Sequence, residues 1–213
     1  MPHTDTHPPI TLPFVDRPFH CAIFDCDGTL ADTMPIHFQA WQEALAVPSA
    51  VISEELFYEL GGVPTMDIVR VLNERFHYSL GVESTAHAKE LRYEELLPAL
   101  QPVPRVVEVV RQLHGRCPLA VCSGGLRRLV VRTLQAVGIE ECFPLILAAE
   151  DAARPKPAPD LFLLAAARMG VAARDCVVFE DSDLGLEAAG RAGMQQVDVR
   201  PWVPSMRHKS SGT

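Results

Sequence analysis

Apolar runs without polar alternation recur at residues 20–24 (HCAIF), 118–122 (PLAVC), 145–149 (LILAA), 176–180 (CVVFE) and 196–199 (QVDV). Strands with one wet face alternate polar and apolar residues. Runs that do not alternate predict strands buried on both faces, and so a parallel sheet covered by helices. Helices are predicted at 104–114, 126–137, 159–169 and 183–192. Gly115, Gly138, Gly170 and Gly193 sit just beyond their ends, where glycine caps a helix C-terminus. The pattern predicts an α/β fold with a Rossmann-like parallel sheet.

The first two strands break this rhythm. Residues 25–117 separate them, whereas a crossover needs only about a dozen. Helical patterns at 34–46, 54–60, 65–76 and 85–97 fill the gap without a convincing strand. Ser53 ahead of Glu54-Glu55-Leu56 has the N-cap signature, and Pro98, Pro102 and Pro104 break the return path. The division expected is an α/β core domain of residues 18–33 and 103–203, an all-helical cap domain at 34–102, and tails at 1–17 and 204–213.

Hydrophobic residues make up 48% and charged ones 22% of the 213, which is ordinary for a chain that buries a sizeable core. The formal net charge of −8 argues against nucleic acid as a partner, since its binders carry a basic excess. An anionic substrate must therefore meet local cations or a metal. No metal-finger or redox spacing joins Cys21, Cys26, Cys117, Cys122, Cys142 and Cys176, and most lie in or beside strand-like runs. Buried reduced thiols and a cytoplasmic location are expected. The opening MPHTDTHPPITLPF lacks the basic region and apolar stretch of a signal peptide. No segment approaches the roughly 18 apolar residues of a membrane span. His3 and His7 are read as part of a solvated tail, and a monomer is expected.

In open parallel sheets the loops at the strands' carboxyl ends line the binding crevice. After the first strand come Asp25, Asp27, Gly28 and Thr29. If strand geometry persists, its period of two points both aspartates the same way. Like charges so close call for a cation between them, or for a retained proton. Ser123, Gly124 and Gly125 follow the second strand, a hydroxyl with glycine-freed amides that suits an anion. Lys156 follows the third, in RPKPAPD, and Glu180, Asp181, Ser182 and Asp183 follow the fourth. Each feature alone also fits a plain reading: an acidic turn, a Ser-Gly-Gly turn, a solvated lysine, an acid pair at a helix start. Their joint appearance, one group per strand end, shifts the balance toward chemistry.

The motifs Asp-Xaa-Asp-Gly-Thr, Ser-Gly, Lys-Pro-Xaa-Pro-Asp and Glu-Asp-Ser, in this order, resemble those of the haloacid dehalogenase superfamily of phosphohydrolases. The likeness spans residues 21 to about 200. Its helical part resembles the cap of the β-phosphoglucomutase-like subfamily, with His37-Phe38-Gln39-Ala40-Trp41 and Gly61-Gly62-Val63 as further matches. The passage VVFEDSDLGLEAAGRAGMQQVDVR is similar to bacterial sugar phosphatases of the fructose-1-phosphate and 6-phosphogluconate type.

The resemblance implies a Mg²⁺-dependent phosphatase acting on a small phosphorylated sugar or sugar acid. Asp25 is its implied nucleophile, forming an aspartyl-phosphate. Asp27 protonates the leaving sugar oxygen and then activates water, which asks for a raised carboxyl pKa. The implied metal ligands are Asp25, the Asp27 carbonyl, Asp181 and, directly or through water, Glu180. The phosphate is expected on Thr29, Ser123, Gly124 and Lys156. In the cap, His37, Trp41, Gly62 and Thr65 are the substrate-side candidates; cap-to-core packing is the other reading of His37 and Trp41. Arg70, Arg75, Lys89 and Arg92 are read as solvated faces.

Asp27 excludes a dehalogenase, because a halide leaves without a proton and a sugar alkoxide does not. The alternative of a β-phosphoglucomutase needs an arginine in the cap loop to grip a second phosphate, and GGVPTMD has Pro64 and Thr65 there. A sugar-phosphate-binding protein without turnover is disfavoured by four complete motifs. A signalling receiver with clustered aspartates has no use for a helical lid.

Overall fold

Five strands form at the apolar runs: β1 (Cys21–Phe24), β2 (Leu119–Cys122), β3 (Leu145–Leu147), β4 (Cys176–Glu180) and β5 (Gln195–Asp198). They are seen in a computed structural model that describes residues 8–46 and 50–207. All pairs are parallel, in the order β3-β2-β1-β4-β5. The chain begins in the middle of the sheet, builds to one edge, then returns to build the other. Such a reversal leaves a crevice beyond the carboxyl end of β1, between the neighbouring loops.

Among the described residues between β1 and β2 the regular elements are helical: α1 (Met34–Ala46), α2 (Glu54–Glu59), α3 (Thr65–Phe76) and α4 (Val82–Leu96), with one 3₁₀ turn. Ser53 caps α2 as expected, its Oγ accepting from the Leu56 amide at 3.2 Å, an interaction worth about 1 kcal/mol. α4 starts three residues before its predicted position, at Val82. Gly81 serves as its N-cap, and the Gly81 carbonyl accepts from the Thr85 amide at 2.9 Å. Trp41, Leu45, Phe57 and Leu72 anchor a hydrophobic cluster belonging to this insertion.

The rest of the chain covers the sheet with α5 (Pro104–Leu113), α6 (Arg127–Ala136), α7 (Asp160–Met169) and α8 (Asp183–Arg191). Ala22 and Phe24 pack toward α5 and α6, while Cys21 and Ile23 pack toward α7 and α8. Both faces of β1 are thus dry, the physical origin of its non-alternating sequence. Gly115, Gly138, Gly170 and Gly193 all take φ between 68° and 75° beyond the helix ends. All six cysteines are buried and free. No described helix is long and apolar enough to cross a membrane.

One expectation is corrected at the ends. Residues 8–17 do not form a tail. The Ile10 amide donates to the Phe19 carbonyl at 2.8 Å, and Phe14 packs edge-on against Trp202 at 5.0 Å. Ile10, Phe14 and their apolar neighbours close one end of the sheet's core, outweighing the flanking prolines and histidines. At the other end a short helical turn, Pro204–Arg207, is tied back by the Ser205 amide, which donates to Asp32 at 3.0 Å. The remaining expected tail residues, His3 and His7 included, lie outside the described residues.

Candidate active site

The loops at the carboxyl ends of β1, β2 and β4 and the loop after β3 converge. The Asp25 amide donates to the Phe179 carbonyl at 3.0 Å, extending the β1–β4 ladder by one residue and fixing where the side chain leaves the sheet. Lys156 Nζ then lies 2.7 Å from Asp25 Oδ1 and 2.6 Å from Glu180 Oε2, with the lysine side chain only 6% exposed. Glu180 Oε1 accepts from the Ser182 amide at 3.0 Å and its hydroxyl at 2.8 Å. Ser182 Oγ in turn accepts from the Gly185 amide at 3.0 Å and so caps α8. Thr29 donates its hydroxyl to Asp181 Oδ1 at 2.8 Å.

Asp25, Glu180 and Asp181 bring one carboxylate oxygen each within 4.8 Å of one another, all three buried. Burial, and then the Glu180 charge, push Asp25 well above the usual carboxylate range and Asp181 up to about 8. Burial by itself would lower Lys156, but Asp25 and Glu180 more than offset it and hold the ammonium firmly charged. Three carboxylates thus share one lysine. The cluster is short of positive charge.

Two glycines make this crowding sterically feasible. Gly28 takes φ +83°, and a Cβ there would fall 2.2 Å from Asp181 Oδ2. At Gly185 a Cβ would fall 2.0 Å from Glu180. Both carboxylates fill space that any side chain would occupy.

Asp27 faces the helical insertion. Its Oδ1 lies 3.2 Å from His37 Nε2, and Lys89 Nζ lies 2.9 Å from His37 Nδ1. An ammonium only donates, so Nδ1 accepts from Lys89 and Nε2 carries its proton toward Asp27. Tyr93 stacks on the imidazole, ring centroids 4.0 Å apart, and its hydroxyl is 2.8 Å from Thr133 Oγ1 on α6. Burial by itself would raise Asp27; the hydrogen bond from His37 and the charge of Lys89 leave it below the usual range. Burial, then the Lys89 charge, lower His37. Burial lowers Lys89 to about 8.

Between these groups lies a cavity of about 320 Å³. Its walls include Asp25, Asp27, Ser123, Gly124, Lys156, Glu180 and Asp181 from the strand ends, and His37, Trp41, Gly62 and Thr65 from the insertion. Gly62 brings the α2–α3 loop onto the strand-end loops: a Cβ there would be 3.5 Å from Ser182 Oγ.

A family model described as haloacid dehalogenase-like hydrolase matches residues 19–193. The chain belongs to this family. Among these hydrolases it is 41% identical over 179 residues to the fructose-1-phosphate phosphatase YqaB of Escherichia coli, covering 84% of this chain and 95% of that one. It is 30% identical to a phosphorylated carbohydrates phosphatase of Thermotoga maritima, covering 82% of each. A solved β-phosphoglucomutase of Clostridium difficile shares the fold, with a TM-score of 0.77 at 23% identity and 84% of each chain covered.

The resemblance to this family implies a divalent metal, and the residues present fit one. Asp25, Glu180 and Asp181 offer hard oxygen donors around a deficit of positive charge, in a cradle that Gly28 and Gly185 keep open. Most of the expected site residues meet at the cavity, but three expectations change. Thr29, expected on phosphate, does not line the cavity; it is fully buried, and its hydroxyl supports Asp181. Asp27, expected with a raised pKa, is lowered, because His37 favours its charged form. Lys89 is not a solvated residue: it is 5% exposed, packed between His37 and the Trp41 and Tyr93 rings. Its signal was available, since Thr85, Ala86, Lys89 and Tyr93 follow helical spacing and form the buried face of α4.

Proposed function

We propose that the protein is a metal-dependent phosphatase that hydrolyses a small sugar or sugar-acid monophosphate through an aspartyl-phosphate on Asp25. The observation that carries this reading is the buried Asp25, clamped by Lys156 beside Glu180 and Asp181, in the wall of a cavity that Asp27 also lines. Asp25, Glu180 and Asp181, with the Asp27 carbonyl, would hold a divalent ion, Mg²⁺ being the proposed species, and it would supply positive charge where two anions must meet. Lys156 holds the nucleophile in place and, with the Ser123 hydroxyl and the Gly124 amide, donates to phosphate oxygens.

In the first step an Asp25 carboxylate oxygen bonds to phosphorus while the bond from phosphorus to the sugar oxygen breaks. Asp27 gives that oxygen its proton. In the second step water attacks phosphorus, Asp27 takes a water proton, and the bond from Asp25 to phosphorus breaks to release phosphate. The charge of an incoming phosphate raises the neighbouring Asp27 carboxyl toward the protonated form that the first step needs. His37, held by Lys89 and Tyr93, orients Asp27 for both transfers.

The core of residues 18–33 and 103–203 supplies the chemistry, and the helical segment 34–102 acts as a cap that excludes water and selects the leaving group. The test is phosphate release from p-nitrophenyl phosphate and a panel of sugar phosphates, with and without Mg²⁺. Turnover that is independent of divalent metal, or that survives in Asp25→Asn, overturns the reading.

A further inference from the structure

The cavity has a second charged feature, carried by the insertion. Asp67 and Arg70 lie on the first two turns of α3, beyond the Gly62 loop that meets the strand ends. Arg70 Nη1 donates to Asp67 Oδ1, both side chains line the cavity, and each is about half exposed, at 53% and 49%. An exposed pair of this kind contributes little to folding. Its position at the open side of the cavity gives it another use.

Arg70 is the cavity's one lysine or arginine, among the described residues, that is not buried. Lys156 is held by Asp25 and Glu180, and Lys89 by His37. Standing alone, Arg70 would make a strong site for a second phosphate or a carboxylate. Asp67 prevents this by neutralising it. Among the described residues, six carboxylates and three lysine or arginine side chains line the cavity; a divalent ion on the strand-end carboxylates would be offset by the first phosphate, so a second anion would still enter a negative field. A polyol meets no such cost, and its adjacent hydroxyls match a pair that both accepts and donates.

We infer that Asp67 and Arg70 form the leaving-group subsite and select a neutral polyhydroxyl leaving group over one bearing a carboxylate or a second phosphate. This inference rests on the phosphatase reading and narrows its substrate class to neutral sugar monophosphates. Asp67→Asn leaves the Arg70 cation uncompensated, and Arg70→Gln removes it.

The test measures kcat/KM for fructose 1-phosphate, 6-phosphogluconate and acetyl phosphate, the last with a leaving group too short to reach α3. The wild type is expected to prefer fructose 1-phosphate to 6-phosphogluconate. Asp67→Asn is expected to shift that preference toward the sugar acid by about tenfold. Arg70→Gln is expected to lower the ratio of fructose 1-phosphate to acetyl phosphate by about tenfold, with thermal melts of both variants near wild type. An active wild type whose ratios stay within twofold in both variants overturns the subsite, as does a wild type that prefers the sugar acid. A wild type that turns over no phosphomonoester overturns the phosphatase reading instead, and this inference falls with it.

Discussion

On the sheet side of the cavity, burial and mutual repulsion push Asp25 and Asp181 up; on the helical side, burial pushes Lys89 down to about 8 and, with the Lys89 charge, lowers His37. Both walls resist charge, but of opposite sign. The sheet wall gathers three carboxylates around one lysine and so invites a cation. The helical wall passes hydrogen bonds from Lys89 through His37 to Asp27, and so controls a proton. A phosphatase needs both devices. Here they come from different parts of the chain and meet only across the cavity.

The contrast breaks most sharply at Asp25. Asp25→Asn is expected to lower kcat below one thousandth of wild type, a loss of about 4 kcal/mol in transition-state stabilisation, with the fold intact by circular dichroism. On the helical wall, Lys89→Met addresses stability. The folded-state pKa of Lys89 lies near 8 against an ordinary 10.5, so the folded protein binds fewer protons than the unfolded chain between these values. Stability contributed at this site therefore rises with pH from about 8 to about 10.5, by an amount on the order of 3 kcal/mol. Urea denaturation across that range is expected to show the rise in wild type and to lack it in Lys89→Met.

Metal binding sharpens the sheet side. Mg²⁺ at about one hundred times its dissociation constant is expected to stabilise the wild type by about 2.7 kcal/mol. Asp181→Asn is expected to lose most of that gain in a thermal shift. A smaller change is expected at His37, which orients the acid without itself bonding to phosphorus. His37→Gln lowers kcat by about tenfold to a hundredfold, about 1.4 to 2.7 kcal/mol, and moves the acid limb of the pH profile. If it costs as much as Asp25→Asn, the division of labour between the walls is wrong. Smallest is Ser53→Ala, expected to cost about 1 kcal/mol in unfolding free energy while kcat/KM stays at the wild-type value.

The strand-end residues were legible because parallel topology turns chain order into position. Once β1, β2 and β4 are recognised as buried strands, the residues following each must meet at one rim, and the loop after β3 joins them. Lys156 required only that rule and a nearby negative cluster. The insertion offered no equivalent rule. Lys89 sits in a helix rich in glutamate, where a lysine ordinarily faces water, and only its helical spacing with Thr85, Ala86 and Tyr93 marks the face that α4 packs against α1. The lowered pKa of Asp27 has no such signal, since it depends on which way His37 points. In the end segment at 8–17 the three prolines point to a tail, whereas Ile10 and Phe14 pack into the sheet's core.

By itself the order of residues determined the elements, the parallel sheet and the identity of the groups at its carboxyl rim, because strand periodicity and helix caps act over a few neighbouring residues. Only the tertiary structure decided the state of those groups: which carboxylates crowd together, which lysine is sheltered, and which way a proton is handed toward Asp27. Those outcomes depend on burial and on charges a few ångströms apart in space. The partners lie far apart in the chain, 152 positions for Thr29 and Asp181, and no local pattern encodes such a distance.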